Sequence, residues 1–393
     1  MMLPSGLGHL TYCLNIHPAE TWDEVRAALT GPVARVKQAV CPDNSFDVGL
    51  RFSAVAVEAL QEPEAREDLK RILDEQDFRA ITVNGFPYGP FHGTRVKEDV
   101  YQPDWTRPER LAYTTGLIEL MADIGPAGRP VSLSTVPGTY KPLAKGREAD
   151  MADNLLRAVA FAVQTEQDTG RVVQIAIEPE PFCFLETIAE TVAFFRNYLF
   201  DDRAAAKISN WTGLSHGEAL DALPRHLGLC YDVCHAAVEF EDPADSIAAL
   251  RAAGIPVHKL QLSAALRLPS VDAEARAALA AFDEPTYLHQ VVSHGPAGLR
   301  FEHDLAPALA RTDSDGEEWR VHFHVPVFVD EIPPFRSTRD FLAEILALHK
   351  AEPISPHLEV ETYTWGVLPD GMRGATIEAD IARELSWVQE QLA

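Results

Sequence analysis

Eight times along this chain a short apolar run gives way to a loop and then to a longer stretch with helical periodicity. The short runs lie at 9–16, 48–52, 80–83, 131–135, 172–177, 227–232, 257–262 and 358–362. Short apolar-rich runs that alternate with longer amphipathic stretches suit parallel strands joined by helices. Helical stretches follow at 22–40, 54–75, 108–123, 150–167, 188–199 and 243–253. A last one, from about Ile377, sets Leu385, Trp387, Val388 and Leu392 on one stripe. Thr21–Glu24, Thr187–Glu190 and Ser215–Glu218 have the spacing in which a hydroxyl and a carboxylate satisfy the free N–H groups of a helix start. No Gly/Ser-rich linker interrupts the series. The pattern therefore predicts a single (β/α)₈ barrel, an α/β fold spanning residues 1–393 as one domain. A doubly wound open sheet is the competing arrangement. It would carry a glycine-rich phosphate loop after its first strand, and here Ile16 is followed by His17-Pro18-Ala19-Glu20. Between the seventh and eighth strands, 264–330 reads as an insertion. It holds an extra strand at 320–327 and a polar turn at 313–318.

Charge narrows the partners. With 34 Lys+Arg against 59 Asp+Glu, the net charge of −25 repels phosphate backbones and anionic membrane surfaces. Nucleic acid is not expected as a partner; a small polar metabolite is. Five cysteines, odd in number and scattered, make no disulfide framework and favour a reducing compartment. Residues 1–9 lack the pattern of a signal peptide, and no apolar run is long enough to cross a bilayer. The expectation is a cytoplasmic protein without direct membrane insertion. Nothing in the pattern speaks to oligomeric state.

Barrel enzymes place their chemistry at the C-terminal ends of the strands, and side chains alternate along each strand. In Gln174-Ile175-Ala176-Ile177-Glu178 the isoleucines face the helices and Glu178 caps the interior. The same parity turns Asp232, Gln261 and the pair Glu359 and Glu361 inward. Asn15 with His17, Arg51, Asn84 and Ser134 end the first four strands likewise. A purely structural barrel would fill these layers with branched apolar residues. Carboxylates converging on one mouth repel each other unless a cation lies between them. An oxygen-rich set of Glu178, Asp232, Gln261 and Glu361 suits one divalent ion, Mg or Mn, with Zn and Co also admissible. Lys259 and Glu359 fall one layer lower and read as an interior ion pair.

These positions carry a family resemblance. Ile177-Glu178-Pro179, Asp232-Val233-Cys234-His235, Gln261 and Glu361 resemble the metal-binding strand ends of the xylose isomerase-like (sugar phosphate isomerase/epimerase) superfamily, its hydroxypyruvate-isomerase branch in particular. Residues 84–97, together with 11–17 and 359–365, resemble the EboE metabolite traffic proteins. That family is encoded beside genes for export of specialised metabolites or their precursors. The resemblance implies a metal-dependent isomerase or epimerase acting on a sugar, polyol or hydroxy-carbonyl metabolite through an enediolate. Glu178 and Glu361 would serve as catalytic base and acid.

The loop 84–105 is dense in rings and cations. Phe86 and its aromatic neighbours, with Arg95 and Lys97, would hold a polar or phosphorylated ligand; alternatively the rings pack on the barrel rim and the cations pair with Glu98 and Asp99. His17, Arg51, Asn84, His92 and Lys97 would orient substrate oxygens, with His235, His324 and Trp365 as further substrate contacts. His322-Phe323-His324 puts two histidines on one strand face, where they either ligate zinc or form a hydrogen-bonded structural pair. Cys230 and Cys234 read as small core residues. A different functional class stays open: a metabolite-binding or carrier protein that keeps the barrel without turnover. A DNA-cleaving relative of the endonuclease IV type is disfavoured by the net charge and by Gln261 in place of a histidine.

Overall fold

The computed structural model describes residues 1–93, 95–368 and 373–393. Eight parallel strands form the central sheet: β1 His9–Tyr12, β2 Phe46–Arg51, β3 Phe78–Asn84, β4 Val131–Thr135, β5 Val173–Ile177, β6 Leu227–Asp232, β7 Val257–Leu262 and, last in the chain, β14 His357–Val360. Their order is β1-β14-β7-β6-β5-β4-β3-β2, and a parallel bridge between Cys13 and Gly49 brings the two ends together into a nearly closed barrel. These are the strands expected from the apolar runs. The first is shorter than 9–16, because Leu14–Ile16 turn into a 3₁₀ segment that lifts Asn15 and His17 off the strand.

The strands are buried along nearly their whole length because helices cover the outside. Leu69, Ile72 and Leu73 of Pro63–Glu75, Leu155 and Val159 of Glu148–Thr169, and Ile381, Leu385 and Val388 of Ile377–Leu392 form the inner stripes of three of them. The three capping boxes at Thr21, Thr187 and Ser215 are all formed. Two expected helices are broken. The stretch 22–40 divides into Trp22–Ala28 and Ala34–Val40 around a π-helical turn, Leu29–Val33, which contains Pro32. The stretch 54–75 divides into Ala54–Ala59 and Pro63–Glu75. Pro63, lacking an N–H, fits the first turn of a helix and not its interior.

Inside the barrel, polar side chains pair in layers. Ser132 donates to Thr82 at 2.7 Å and pairs with His357 at 2.9 Å. Above them, Lys259 and Glu359 form the expected ion pair at 2.5 Å with neither side chain exposed, and Lys259 also donates to Ser134 at 3.2 Å. Burial lowers the proton affinity of Lys259, but Glu359 more than reverses this and the ammonium is held well above its usual range.

The insertion is more elaborate than one extra strand. Segments β8 Ala264–Leu268, β9 Val291–Gly295, β10 Gly298–Glu302, β11 Glu318–Val325, β12 Glu331–Ile332 and β13 Phe335–Ser337 build a second sheet in the order β10-β9-β11-β8-β13-β12. Its pairings are antiparallel, and the register of β11 on β8 shifts between Val321 and His324. Because β8 starts two residues after β7 ends, this sheet rises from the C-terminal mouth of the barrel. No described helix is long and apolar enough to cross a membrane.

Candidate metal centre

Three carboxylates reach the mouth from different strands. Glu178 follows β5, its N–H continuing the ladder by donating to Thr135 O at 3.0 Å. Asp232 ends β6 and caps the helix Val233–Val238. Its Oδ1 accepts from His235 N at 3.1 Å and from Ser263 Oγ at 2.7 Å. Glu361 follows β14, and its Oε1 accepts from the amides of Asn15 and Asn84, the latter at 3.0 Å. One oxygen of each carboxylate lies within 4.8 Å of one on each of the others, and all three residues are buried. Gln261, opposite Asp232 in the β6–β7 register, is fully buried with neither amide atom hydrogen-bonded.

The electrostatics are unbalanced. Burial, then the charges of Glu361 and Asp232, push Glu178 well above the usual carboxylate range. The interior cation, Lys259, is already committed to Glu359 one layer down. Glu178 Oε2, Asp232 Oδ2 and Gln261 Oε1 are buried without a partner. Leaving such atoms unpaired costs on the order of 1–3 kcal/mol each, more for charged groups. Three convergent carboxylates, two of them with an unpartnered oxygen, and the unpartnered amide oxygen of Gln261 on the neighbouring strand are the donor set that a hard divalent cation takes. The residues present fit the ion expected from the sequence.

Above the carboxylates lies a pocket of about 530 Å³ of empty space, its open mouth included. Glu178, Glu361, Glu180, Asn15, Asn84, His235 and His322 line its polar side. Phe86, Phe91, Tyr101, Tyr287, Leu288 and Tyr363 are among its apolar walls. Phe91, Tyr287 and Tyr363 pack mutually, with ring centroids 5.1–5.3 Å apart.

The other residues singled out in the sequence divide clearly. Asn84, Phe86, Lys97 and His235 line the pocket. Lys97 pairs at 2.7 Å with Asp304 from the insertion, in place of Glu98 or Asp99. Arg95 is exposed and is not among the lining residues, so the pocket presents no uncommitted cation among the described residues. His17, Arg51, His92 and Trp365 do not line it either. His17 is buried against the Tyr12 hydroxyl at 2.9 Å, and burial depresses its proton affinity to a pKa of about 4. Arg51 clamps two loops, donating to Ala19 O, Glu20 and Gly89 O. His92 Nε2 donates to Asn15 O at 2.5 Å, and its Nδ1 accepts from Tyr287 at 3.0 Å. It thereby steadies the asparagine that holds Glu361. Trp365 is a core residue. His324 is fully buried, with Nδ1 2.6 Å from Glu361 O.

Sequence reasoning passed over several lining residues. Glu180 accepts from Tyr101 at 2.7 Å, and burial raises its pKa to about 8. The alternating Glu178-Pro179-Glu180-Pro181 was its signal, since extended backbone two residues on returns to the same side. Tyr287 and Leu288 come from the insertion, outside any strand, where no periodicity announces them.

No protein-family model matches the chain, and no curated protein matches it. Solved structures do. A xylose isomerase-like TIM barrel protein from Mycobacterium smegmatis, in complex with magnesium, aligns over 98% of this chain and 96% of its own at 11% identity, with a TM-score of 0.50. An IOLI protein with a bound zinc atom aligns over 98% of both chains at 13% identity and a TM-score of 0.47. The 3-keto-D-glucoside 4-epimerase YcjR from E. coli does so over 98% of both at 13% and 0.42. The first of these likenesses, with the strand order above, gives this chain the fold of the xylose isomerase-like TIM barrels.

Proposed function

We propose that this chain is a metal-dependent isomerase or epimerase of an uncharged sugar, polyol or hydroxy-carbonyl metabolite. The observation that carries the reading is the convergence of Glu178, Asp232 and Glu361, buried and with carboxylate oxygens within 4.8 Å of one another, beneath a pocket that Glu178 and Glu361 line. Glu178, Asp232, Gln261 and Glu361 would hold one divalent ion. The magnesium complex of the M. smegmatis barrel protein supports an ion of this class. Bound there, the ion supplies positive charge to the oxygen that turns negative when a C–H beside a carbonyl loses its proton.

The chain's own groups do the rest. Glu178, which lines the pocket, would be the proton acceptor on one side of the substrate carbon. Glu361 follows β14, separated from β5 by β6 and β7, and in its protonated form would give its own proton to the other side, the proton held by Glu178 passing to solvent after product release. Asn15 and Asn84 fix Glu361 Oε1 by two amide donors. Phe86, Phe91, Tyr101, Tyr287 and Tyr363 offer apolar faces to the C–H side of a sugar and keep water from the reacting carbon. The substrate class follows from charge: Glu178, Glu180 and Glu361 face Lys97, which Asp304 already engages, so a phosphorylated ligand finds no free cation among the described residues. The link to metabolite traffic, and a place of action in the cytoplasm, belong to this proposal. The first rests on the resemblance of residues 84–97, the second on the five scattered cysteines, none in a disulfide.

The test is solvent exchange. Ketoses, polyols and hydroxy-carbonyl compounds incubated with the chain and Mg²⁺ or Mn²⁺ in D₂O should gain deuterium at the carbon beside the carbonyl. Glu178→Gln and Glu361→Gln should each slow this by at least about 100-fold, the usual size of acid–base contributions. Unchanged exchange in both variants would refute the assignment. A compound bound tightly but never exchanged or converted would move the reading to a carrier.

A further inference from the structure

The insertion sheet ends on an open edge. In the order β10-β9-β11-β8-β13-β12, strand β10 has β9 on one side and no strand among the described residues on the other. It pairs with β9 in unbroken register, from Gly298 opposite Gly295 to Glu302 opposite Val291. Alternate backbone N–H and C=O groups of β10 therefore point outward without a ladder partner. Edge strands are ordinarily blunted by shortness, proline, lysine or a bulge. The opposite edge follows this rule, since β12 is two residues long and runs into Pro333-Pro334. Strand β10 has none of these devices. It exposes Leu299 (42%) and Phe301 (40%) on one face, and no other element among the described residues exposes two large apolar side chains.

The sequence of β10 selects what can pair with it. When two β10 strands lie antiparallel, like faces meet only if the two-fold axis passes through a residue; an axis between residues sets apolar side chains against charged ones. An axis at Arg300 would bring two guanidinium groups together. An axis at Leu299 would leave Arg300 opposite Gly298 and Glu302 opposite Pro296. An axis at Phe301 sets the two Phe301 rings opposite each other and Arg300 opposite Glu302 twice, once on either side. Arg300 and Glu302 already share a face, 3.8 Å apart along the strand, and Arg300 also pairs with Asp313 at 2.9 Å. We propose that two copies of this chain dimerise by pairing their β10 strands antiparallel about Phe301, which joins the two insertion sheets into one. Such a contact closes after two copies and leaves no further β10 edge. Each chain carries a net charge of −25, so two copies need a place where their charges match, and this register supplies one. The pocket shares in the contact. Tyr287 and Leu288 of its wall precede β9, and Asp304, the partner of Lys97, follows β10. The hairpin that carries the dimer edge thus runs directly into the pocket wall at both ends. The dimer goes beyond the isomerase reading and does not depend on it.

Sedimentation equilibrium of the full-length chain at physiological ionic strength should show a species of twice the chain mass by a concentration on the order of 100 μM. Arg300→Glu and Glu302→Arg, their fold checked by circular dichroism, each put like charges opposite one another at both pairs. Each should weaken the dimer at least about 10-fold. An equimolar mixture of the two variant chains regains opposite charges at both pairs and should dimerise as tightly as the natural chain. Mere loss of local structure in β10 could not give that rescue. Amide hydrogen exchange of the natural chain should slow at 298–302 as its concentration rises into the dimer range. A natural chain that stays monomeric, single variants that dimerise equally well, or a mixture that stays monomeric would overturn the proposal. So would exchange at 298–302 that is indifferent to concentration, and this measurement on the natural chain decides the matter should a variant misfold.

Discussion

Replacing Lys259 with Met should destabilise this barrel more than removing the whole ion pair. The ammonium and Glu359 are 2.5 Å apart, both side chains fully buried, and Ser134 is the other hydrogen-bond partner of the lysine. In Lys259→Met the Glu359 carboxylate keeps its burial and loses its counter-charge. Breaking a buried pair on one side in this way costs about 3–5 kcal/mol. At about 2.1 cal/mol/K per residue, 393 residues have an unfolding entropy near 0.8 kcal/mol/K, so the melting temperature should fall by about 4–6 °C. Replacing both partners, as Lys259→Met/Glu359→Leu, removes the stranded charge as well and should return stability to within about 1 kcal/mol of the natural chain. Urea titration followed by circular dichroism, run as a double-mutant cycle, measures each corner. A loss below about 1 kcal/mol for the single variant, or a double variant as unstable as the sum of the singles, would refute the reasoning.

Three further substitutions serve as tests, two in the interior and one at an open site as a control. Glu384 is buried, accepts from Thr362 and Val327 N, and burial raises its pKa to about 8. The folded chain thus holds a proton that the unfolded chain releases. That stability is fully present below the ordinary carboxylate value near 4.5 and is lost as pH rises through 8, by up to about 1.4 kcal/mol per unit. Glu384→Gln should remove the dependence, so its melting temperature should gain on the natural chain from pH 5 to pH 8.5; parallel curves would contradict this. At Gly49 an added Cβ would meet Glu359 Oε1 at 1.8 Å and Tyr12 O at 2.8 Å. Gly49→Ala should therefore cost at least about 1–3 kcal/mol by denaturation, whereas Gly89→Ala, with nothing within 4 Å, should cost far less.

The barrel strands were legible because each is a short apolar-rich run followed by a loop and a helical stretch. At β4, β6 and β7 the runs and the strands coincide to the residue. Strand parity likewise placed Glu178, Asp232 and Glu361 together without any knowledge of contacts, as it placed Lys259 against Glu359. Helix breaks at Pro32 and Pro63 were visible as prolines, but periodicity on both sides masked them. The insertion sheet was not legible beyond β11. Its strands are short, β8 pairs with β11 and β13 far along the chain, and β10 is largely exposed, so no run of apolar residues marks it. His17, Arg51 and His92 were inward or loop polar groups by pattern. Only the distant backbone partners of Arg51 and His92 show that these two tie loops together around the pocket, while His17 rests on the nearby Tyr12 hydroxyl.

Binding of Mn²⁺ to the chelator-treated chain, followed by loss of the free-ion electron paramagnetic resonance signal, tests the central claim most directly. The carboxylate centre predicts about one oxygen-ligated equivalent in the natural chain and its loss, by at least about 100-fold in affinity, in Glu178→Gln/Glu361→Gln. A natural chain that leaves Mn²⁺ free, or a variant that binds it equally well, would contradict the account.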